Sequence, residues 1–520
     1  MHWNPFDQNT AADFFDPEWM FQLGNGFDVV IGNPPYVRQE EIKHLKDGLK
    51  AHYNCYTGTA DLYVYFYERS IKLLKPHGVF AFISSNKWYR AKYGEKLRDW
   101  MNCNTKLRRI IDFGDEAVFT AIAYPTIVIA TRRAQTVKAP GQDEDVLTLN
   151  WTQEDSVEQF PQVFAQTAFP VPQAELSKYG WQLEPPLKRH LLERVRAAGK
   201  PLGEYVNGRL YYGIKTGLND AFVISRTKRA ELIAEDPKSM EVIKPFLRGR
   251  DVKRWRVEPQ DLWLLYIPWH FPLHLDPSIN GASAKAEREF KRQFPAIFNH
   301  LLKYKDTLSA RNQAETGVRY EWYALQRWGA DYWQEFEQLK IVFPDIALSP
   351  QFAWEDSGRY VVNTAYIIPR VGRWLLAVLN SSVCAWFYSQ ISPQIQNGYY
   401  RFIAQYVEQI PIPSVAEQYQ ILLDALVSNV WTTRDSRFEQ LINGLVYELF
   451  FPEDLHRANV WLFDACEKAG IAKLTALKGK AIADAANDLA IRIFATSHPI
   501  YGMLFDLQAL DVVRIVEDRG

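Results

Sequence analysis

The stretch FDVVIGNPPYVRQ, Phe27 to Gln39, constrains the fold of this chain more than any other. Its first half, Phe27 to Ile31, is a short apolar, β-branched run closed by Gly32, which predicts a buried strand leading into a loop. Two consecutive prolines stiffen that loop, because proline fixes φ and lacks an N–H. Loops at the carboxyl ends of strands are where ligands bind in open α/β sheets. We therefore expect a candidate site directly after this strand.

The residue types of the loop, Asn33-Pro34-Pro35-Tyr36, suit methyl transfer to the exocyclic amino nitrogen of a flipped-out adenine. That nitrogen is a poor nucleophile, since its lone pair is delocalised into the ring. The Asn33 side-chain oxygen and the Pro34 carbonyl can accept its two hydrogens, and the paired prolines hold both acceptors in place. Tyr36 offers an aromatic face on which the extruded base can stack. The alternative is an ordinary turn, because Asn and Pro are common turn residues.

Strands and helices alternate beyond the loop. The pattern predicts helices over Ala60–Lys75 and Gly94–Met101, and strands over Val79–Ile83, Arg109–Asp112 and Thr126–Thr131. Such alternation implies a parallel sheet with helices on its faces, and we expect the last two strands to form an antiparallel edge.

Phe27 to Thr131 resembles the second half of the TaqI-like adenine-specific DNA methyltransferases and of related fused restriction-modification enzymes. Three segments carry the resemblance in the family's order: FDVVIGNPPYV, ADLYVYFYERSIKLLKPHGVFAFISSNKW and FGDEAVFTAIAYPTIVIAT. It implies that Asn33 and Pro34 accept the amino hydrogens and that Tyr36 stacks on the target adenine. Phe119 lies where the family often places a second aromatic against that base, although a core residue in a hairpin is the alternative.

The resemblance also implies the cofactor S-adenosyl-L-methionine. The family holds it with a glycine-rich motif after the first strand and acidic residues after the next two, all ahead of the Asn-Pro-Pro-Tyr loop. Only 32 residues precede Asn33, and they contain no such motif. We therefore expect the carboxyl-terminal portion of a methyltransferase, which by itself binds the cofactor weakly or not at all.

The fold class we expect is α/β: the carboxyl-terminal half of a Rossmann-like methyltransferase sheet, an α+β target recognition domain and a helical tail. The boundaries are 1–133 for a partial catalytic domain, 134–182 for a connector, 183–413 for the recognition domain and 414–520 for the helical domain. The connector, rich in Gln, Pro, Ala and acids, has one expected strand around Val146–Trp151.

Asn207–Ile224 resembles the opening of the TaqI-like specificity domain. The matching residues are Gly213, Lys215, Thr216, Gly217 and Asn219. The alternative for this segment is a β-hairpin with glycine turns. Later segments continue the resemblance, namely Lys340–Pro344, Tyr360–Ile368, a helix over Leu375–Tyr388, and Ile410–Pro413. The helical domain shows apolar stripes over Gln418–Val430 and Arg437–Phe450.

Glu241–Arg256 is a basic run inside a chain whose formal net charge is −1. Its net charge is +4, from two acids and the cations Lys244, Arg248, Arg250, Lys253, Arg254 and Arg256. This predicts a patch that contacts DNA phosphates, and we take Lys215 and every arginine and lysine of the run except Lys244 as candidate DNA-binding residues. A solvated basic face is the alternative.

The cysteines show no metal-ligand spacing, so we expect no metal site; they are Cys55, Cys103, Cys384 and Cys466. The chain lacks a basic-then-apolar signal segment and any run near about 18 apolar residues, which indicates a cytoplasmic protein with no membrane span.

The leading hypothesis is a site-specific adenine methyltransferase of a restriction-modification or related defence system, acting on double-stranded DNA. A separate polypeptide encoded upstream is the expected partner, carrying the cofactor motif and a nuclease. The first alternative is a catalytically inactive fragment that binds DNA as a specificity protein, with salt-dependent affinity. The second is the modification and specificity portion of a fused restriction enzyme.

Overall fold

A six-stranded sheet forms the centre of the first of two units in this chain, which divide as Met1–His190 and Leu191–Gly520. The computed structural model describes residues 7, 15–89, 91–114, 124–141, 144–151, 157–181, 183–315, 319–392, 394–433, 436–476 and 480–517. The protein is a mixed α/β protein, with helices and sheets in both units.

The sheet of the first unit has the order β1-β2-β4-β3-β5-β6. Its strands are β1 Phe27–Gly32, β2 Leu74–Ser85, β3 Thr105–Asp112, β4 Pro125–Arg132, β5 Asp145–Asn150 and β6 Phe169–Pro172. Every strand predicted in this region is present. The expected connector, 134–182, contributes β5 and β6, because Val146 and Val171 are fully buried in the core of the unit.

The last two predicted strands, β3 and β4, do not form an edge of the sheet, so this part of the prediction was wrong. β3 and β4 are antiparallel as expected, but β4 also pairs antiparallel with β2, from Val79↔Thr131 to Ser85↔Pro125. β4 therefore lies inside the sheet, since its alternate residues Val128 and Ala130 are fully buried there. The edges of the sheet are β1 and β6, while β1–β2 and β3–β5 are the parallel pairs.

Strand β1 is also less buried than its sequence predicts. Val29 is 55% exposed and Ile31 is 80% exposed, whereas Val30, on the opposite face, packs against the core. Val29 and Ile31 point to the face opposite this core, and β1 has a strand neighbour, β2, on one side only among the described residues.

Helices cover the face of the sheet on which Val30 and Phe80 lie. The helices of this unit are α1 Pro17–Phe21, α2 Lys46–His52, α3 Tyr63–Leu73, α4 Glu95–Asn104, α5 Phe160–Thr167 and α6 Pro186–Ala197, the last of which ends in the second unit. Helix α3 ends before the predicted Lys75, because that residue precedes Pro76 and is therefore restricted to extended backbone.

Two four-stranded sheets, β15-β10-β11-β9 and β14-β12-β16-β8, organise the second unit, with two-stranded pairs β13-β17 and β18-β7. Its strands are β7 Gly199–Pro201, β8 Tyr211–Tyr212, β9 Val223–Ser225, β10 Ile243–Leu247, β11 Leu262–Leu265, β12 Lys340–Pro344, β13 Ile346–Ala347, β14 Ala353–Glu355, β15 Tyr360–Val361, β16 Ala365–Pro369, β17 Tyr400–Arg401 and β18 Pro411–Pro413. The hairpin alternative for Asn207–Ile224 was wrong, since β8 pairs with β16 and β9 pairs with β11.

The helices of the second unit include both helices predicted near the carboxyl terminus. They are α7 Leu202–Tyr205, α8 Asn219–Phe222, α9 Arg226–Glu235, α10 Ala284–Gln293, α11 Pro295–Leu302, α12 Lys305–Glu315, α13 Leu375–Leu379, α14 Ser382–Ile391, α15 Ala404–Val407, α16 Glu417–Thr433, α17 Ser436–Phe450, α18 Pro452–Arg457, α19 Leu462–Ala469, α20 Lys480–Ile493, α21 Pro499–Leu507 and α22 Asp511–Val516. Residues from both sides of the expected boundary at 413 share one apolar core.

The single helix predicted over Leu375–Tyr388 is two helices, α13 and α14. Asn380 interrupts it, because its side chain accepts a bond from the Phe352 N–H (3.0 Å) and donates to the Phe352 carbonyl (2.8 Å). Ser381 then starts α14 by accepting a hydrogen bond from the Cys384 N–H through its hydroxyl oxygen.

Candidate functional site

The Asn33–Tyr36 loop follows the carboxyl end of β1, beside the carboxyl end of the parallel strand β2. Pro34 is buried, while Asn33, Pro35 and Tyr36 are exposed, with 38% of Tyr36 accessible. One proline thus anchors the loop in the fold, and the amide and the aromatic ring on either side of it remain open to a ligand.

The Tyr36 hydroxyl lies within hydrogen-bond distance of two acceptors, the Asn33 Oδ1 at 3.0 Å and the Ile83 carbonyl oxygen at 3.2 Å. Burial raises the pKa of Tyr36 to about 12, so the hydroxyl keeps its proton, and its role as a donor, at neutral pH. In this structure the side-chain acceptor of the loop is therefore already engaged by a donor three residues away.

A second tyrosine supports the ring of Tyr36. The centroids of the Tyr36 and Tyr63 rings are 6.2 Å apart. Tyr63 is 2% exposed, and its hydroxyl lies 2.7 Å from that of Tyr93. Because Tyr63 is buried and tethered, it limits the positions that the exposed Tyr36 ring can take.

The sequence analysis did not predict several polar groups that lie near the loop, at the carboxyl ends of β2 and β3. Asn86, which follows β2, donates through Nδ2 to Asp112 Oδ1 at the end of β3 (2.7 Å). Its N–H donates to the carbonyl of Tyr124, a non-glycine residue with a positive φ of 62°. The Lys87 ammonium lies 5.5 Å from the Tyr124 ring centroid. Only the positions of Asn86, shortly after one predicted strand, and of Asp112, at the end of another, could have indicated them. Phe119 lies outside the described residues.

The predicted basic run does not form a patch of six available cations. Arg248 binds the buried Asp251 through Nε and Nη2 (3.0 and 2.8 Å). Lys244 pairs with Glu337, Arg254 with Glu439, and Arg256 with Glu258. Arg250 and Lys253 are exposed, and they remain the members of the run best placed to meet a phosphate.

Lys215 lies between two glycines, Gly213 and Gly217, and the close packing of this segment leaves no room for a side chain at either position. A Cβ on Gly213 would lie 2.1 Å from the Val362 carbonyl oxygen, a backbone atom. Gly217 has a φ of +75°, and a Cβ there would lie 2.2 Å from the Arg311 side chain. The segment that carries Lys215 is therefore held tightly against two other parts of the second unit.

A cavity of about 570 Å³ lies near the amino ends of β2 and β3, at the opposite end of these strands from the loop. Its lining includes Lys72, Lys96 and Arg132. Lys72 pairs with Glu68, Lys96 donates to the Tyr56 carbonyl (2.9 Å), and Arg132 donates to the Lys72 carbonyl (3.0 Å). These three cations thus already have ion-pair or hydrogen-bond partners within the first unit.

Within the described ranges, no cluster of three or more His, Cys, Asp or Glu side chains could hold a metal ion. The part of the chain that the structure describes also contains no helix both long and apolar enough to cross a membrane.

Two family models match the chain. Residues 3–119 match the Eco57I restriction-modification methylase, and residues 244–412 match the TaqI-like C-terminal specificity domain. The sequence is 24% identical over 461 residues to the type II methyltransferase M.BstVI of Geobacillus stearothermophilus, covering 81% of this chain and 76% of that protein. It is 26% identical over 432 residues to M.PaeR7I of Pseudomonas aeruginosa, covering 78% of this chain and 69% of that protein.

Solved structures are similar at lower identity. The type IIL restriction-modification enzyme MmeI, solved in complex with DNA, matches with a TM-score of 0.45 and 13% identity over 94% of this chain. The type IIG restriction endonuclease BpuSI matches with a TM-score of 0.34 and 14% identity over 92% of this chain. The chain spans 57% and 54% of the lengths of these two proteins.

The chain is thus an α/β protein in which a region similar to restriction-modification methylases precedes a region similar to a TaqI-like C-terminal specificity domain. Its relatives are named type II methyltransferases, and its two matched regions are Eco57I-like and TaqI-like.

Proposed function

We propose that this chain takes part in adenine-specific methylation of duplex DNA, with a flipped adenine bound at the Asn33–Tyr36 loop. The observation that carries this proposal is the loop itself: a side-chain oxygen, a proline carbonyl and an exposed aromatic ring at the carboxyl end of a strand. The Eco57I-like match over residues 3–119 supports the same assignment, because it includes this loop.

The contribution of the loop is electrostatic and positional. Asn33 Oδ1 and the Pro34 carbonyl oxygen would each accept one hydrogen of the adenine amino group. This leaves more lone-pair density on the nitrogen, and acceptors that are already in place need no reorganisation during the reaction. Pro35 stiffens the loop behind them, and stacking on Tyr36 offsets part of the few kcal/mol that base flipping costs.

S-adenosyl-L-methionine would supply the methyl group. The described residues beside the loop do not by themselves fit this cofactor, because none of them forms a glycine-rich turn between a strand and a helix ahead of β1. We therefore propose that a segment carrying that motif, on the same or on another polypeptide, completes the cofactor site.

The edge of β1 is where such a segment would bind. Val29 and Ile31 are exposed on this edge strand, and β1 has no second strand neighbour in the described part of the chain. An exposed apolar edge strand is a template for pairing with another strand. A strand added there would end beside Asn33, which is where the methyl donor has to lie.

We expect Ile31→Asp to weaken this association, because aspartate is disfavoured in strands and its carboxylate would lose water beside the apolar cross-strand neighbours of the added strand. In size-exclusion chromatography of the chain mixed with the cofactor-binding polypeptide, the wild type should elute as a complex and the variant as separate proteins. Ile491→Asp is the matched control, since Ile491 is 70% exposed on α20 in the second unit. Equal complex formation by all three proteins would rule out this edge as the docking surface.

The function is tested by expressing the chain, alone and with the upstream-encoded polypeptide, in a host that lacks adenine methylation. Single-molecule sequencing of the host DNA should then reveal N6-methyladenine in one sequence context when both are present. Titration calorimetry with S-adenosyl-L-methionine should show binding by the pair and not by the chain alone. The absence of methylated adenine under both conditions would reject the enzymatic proposal.

A non-catalytic specificity protein is the second candidate, favoured by the match of residues 244–412 to a specificity domain. Such a protein would bind duplex DNA selectively, and the host DNA would carry no methylated adenine in either of the two expression experiments. A third arrangement, with a nuclease on a linked or partner polypeptide, is suggested by a relative: RM.Eco57I of Escherichia coli, a restriction enzyme and methyltransferase, is 36% identical over 104 residues, covering 19% of this chain and 10% of that protein.

A further inference from the structure

The Asp61 side chain, two residues ahead of α3, bonds a distant segment of the chain and not its own helix. An aspartate at the start of a helix ordinarily accepts hydrogen bonds from the first turn of that helix. Helix α3 has no such side-chain cap, and Asp61 Oδ1 instead accepts a hydrogen bond from the Gln39 N–H at 3.1 Å. Gln39 lies three residues after Tyr36, so this bond ties the chain that leaves the Asn33–Tyr36 loop to the start of α3.

Two further contacts join the same two segments. The Leu62 N–H donates to the Val37 carbonyl at 3.0 Å, and the ring of the buried Tyr63 lies beside that of Tyr36, with centroids 6.2 Å apart. The start of α3 thus holds the chain leaving the loop at three successive points.

The surroundings of Asp61 make its hydrogen bond a specific one. Burial raises the pKa of the Asp61 carboxyl above its ordinary value, and the nearby Glu40 adds to this effect. The Gln39 N–H and the cations Lys87 and Arg38 act in the opposite direction. A carboxylate that has lost water is stabilised by the donors around it, and a hydrogen bond to an ionised acceptor is stronger than one between neutral groups.

The other side of the loop is fixed by the sheet. Gly32, the last residue of β1, pairs with β2. The Gln39 side chain is held separately, because its Oε1 accepts a hydrogen bond from Lys46 Nζ at 2.9 Å. Tyr36 therefore lies between two fixed points, Gly32 and Gln39, and the Asp61 side chain is the acceptor that holds the main chain at the second of them.

We propose that Asp61 is a positioning residue for methyl transfer, acting through the Gln39 main chain to hold the Tyr36 ring where it stacks on the flipped adenine. The inference rests on the proposed function, because only a bound base gives the Tyr36 ring that role. A stacking surface that is already in place costs nothing to order when the base arrives. Asp61 supplies that order without touching the base itself.

The test is a double-mutant cycle in single-turnover methyl transfer, with the full chain in the preparation in which the wild type is active. Asp61→Ala removes the acceptor and should lower the rate constant by about 3- to 10-fold, the effect of losing one hydrogen bond. Asp61→Asn keeps an acceptor oxygen and should retain at least about half of the wild-type rate constant. Asp61→Ala combined with Tyr36→Ala should be no slower than Tyr36→Ala alone, since Asp61 acts through the ring that this change removes.

Two readouts separate positioning from folding. Unfolded protein lowers the amplitude of single-turnover transfer, whereas a misplaced ring lowers its rate constant. Deuterium uptake of the chain, measured by mass spectrometry, should rise in Asp61→Ala for peptides that contain residue 39 and stay at the wild-type level for peptides from β1.

Asp236 provides the matched control. It is a partly buried aspartate of the second unit, and its Oδ1 accepts the Lys238 N–H at 3.1 Å. Asp236→Ala therefore loses a bond of the same kind and length away from the first unit. Its rate constant should equal that of the wild type.

The outcomes separate this inference from the function on which it rests. A wild-type rate constant for Asp61→Ala, with or without a lower amplitude, overturns the inference and leaves the proposed function standing, as does unchanged deuterium uptake at residue 39. Effects that multiply in the double variant would mean that Asp61 acts independently of Tyr36, and an Asp61→Asn variant as slow as Asp61→Ala would mean that the hydrogen bond is not the cause. If the wild type transfers no methyl group to adenine, the inference and the proposed function fall together.

Discussion

Replacing Asn33 by alanine is expected to reduce methyl transfer by about 100- to 1,000-fold while leaving the affinity for duplex DNA close to that of the wild type. The magnitude follows from losing one preorganised electrostatic partner in a site where charge develops during the reaction. DNA affinity should persist because the predicted DNA contacts lie in the second unit, whereas Asn33 lies in the first. The measurement is single-turnover transfer of a radiolabelled methyl group, in the mixture of polypeptides in which the wild type is active.

Asn25→Ala is the matched control for that experiment. Asn25 is an exposed asparagine just ahead of the amino end of β1, whereas Asn33 follows its carboxyl end. It should retain full activity. If Asn33→Ala transferred methyl groups as fast as the wild type, its side chain would not be an acceptor in the reaction, and the assignment of the loop would be wrong.

Tyr36 is expected to respond differently to the loss of its ring and to the loss of its hydroxyl. Tyr36→Ala removes the stacking surface, worth about 1–3 kcal/mol per base, and should lower kcat/KM by about 5- to 150-fold. Tyr36→Phe keeps the ring and removes the donor now engaged with Asn33 Oδ1. Since the adenine amino group needs that acceptor, Tyr36→Phe should have at least the wild-type kcat/KM.

The comparison of these two variants tests whether the hydroxyl competes with the base. Tyr501→Ala controls for the loss of an exposed tyrosine, because Tyr501 is 41% exposed on α21 in the second unit. A Tyr36→Phe variant as impaired as Tyr36→Ala would mean that the hydroxyl itself contributes to catalysis. In that case its contact with Asn33 would be part of the active arrangement rather than a resting contact.

Local sequence patterns predicted the elements of the first unit well. The apolar run before Gly32, the helical spacing after Ala60 and the β-branched run at 126–131 each form the predicted kind of element, because these patterns depend on residues a few positions apart. The order in which the strands pair could not be predicted from such local patterns. Nothing within Thr126–Thr131 indicates that β4 inserts between β2 and β3, since that depends on strands about 20 and 45 residues earlier in the chain.

By itself, the sequence determined that a stiff loop with an amide, two prolines and a tyrosine follows a strand, and that a specificity domain lies further along the chain. Only the tertiary structure decided which polar and charged groups already have partners within the protein and which are left to contact a ligand. It places the Tyr36 hydroxyl on Asn33, pairs Arg254 with Glu439 across 185 residues, and joins the Gln39 N–H to Asp61. The physical reason is that charge and hydrogen-bond partners are chosen by proximity in space, whereas loop stiffness and strand formation are set by near neighbours in the chain.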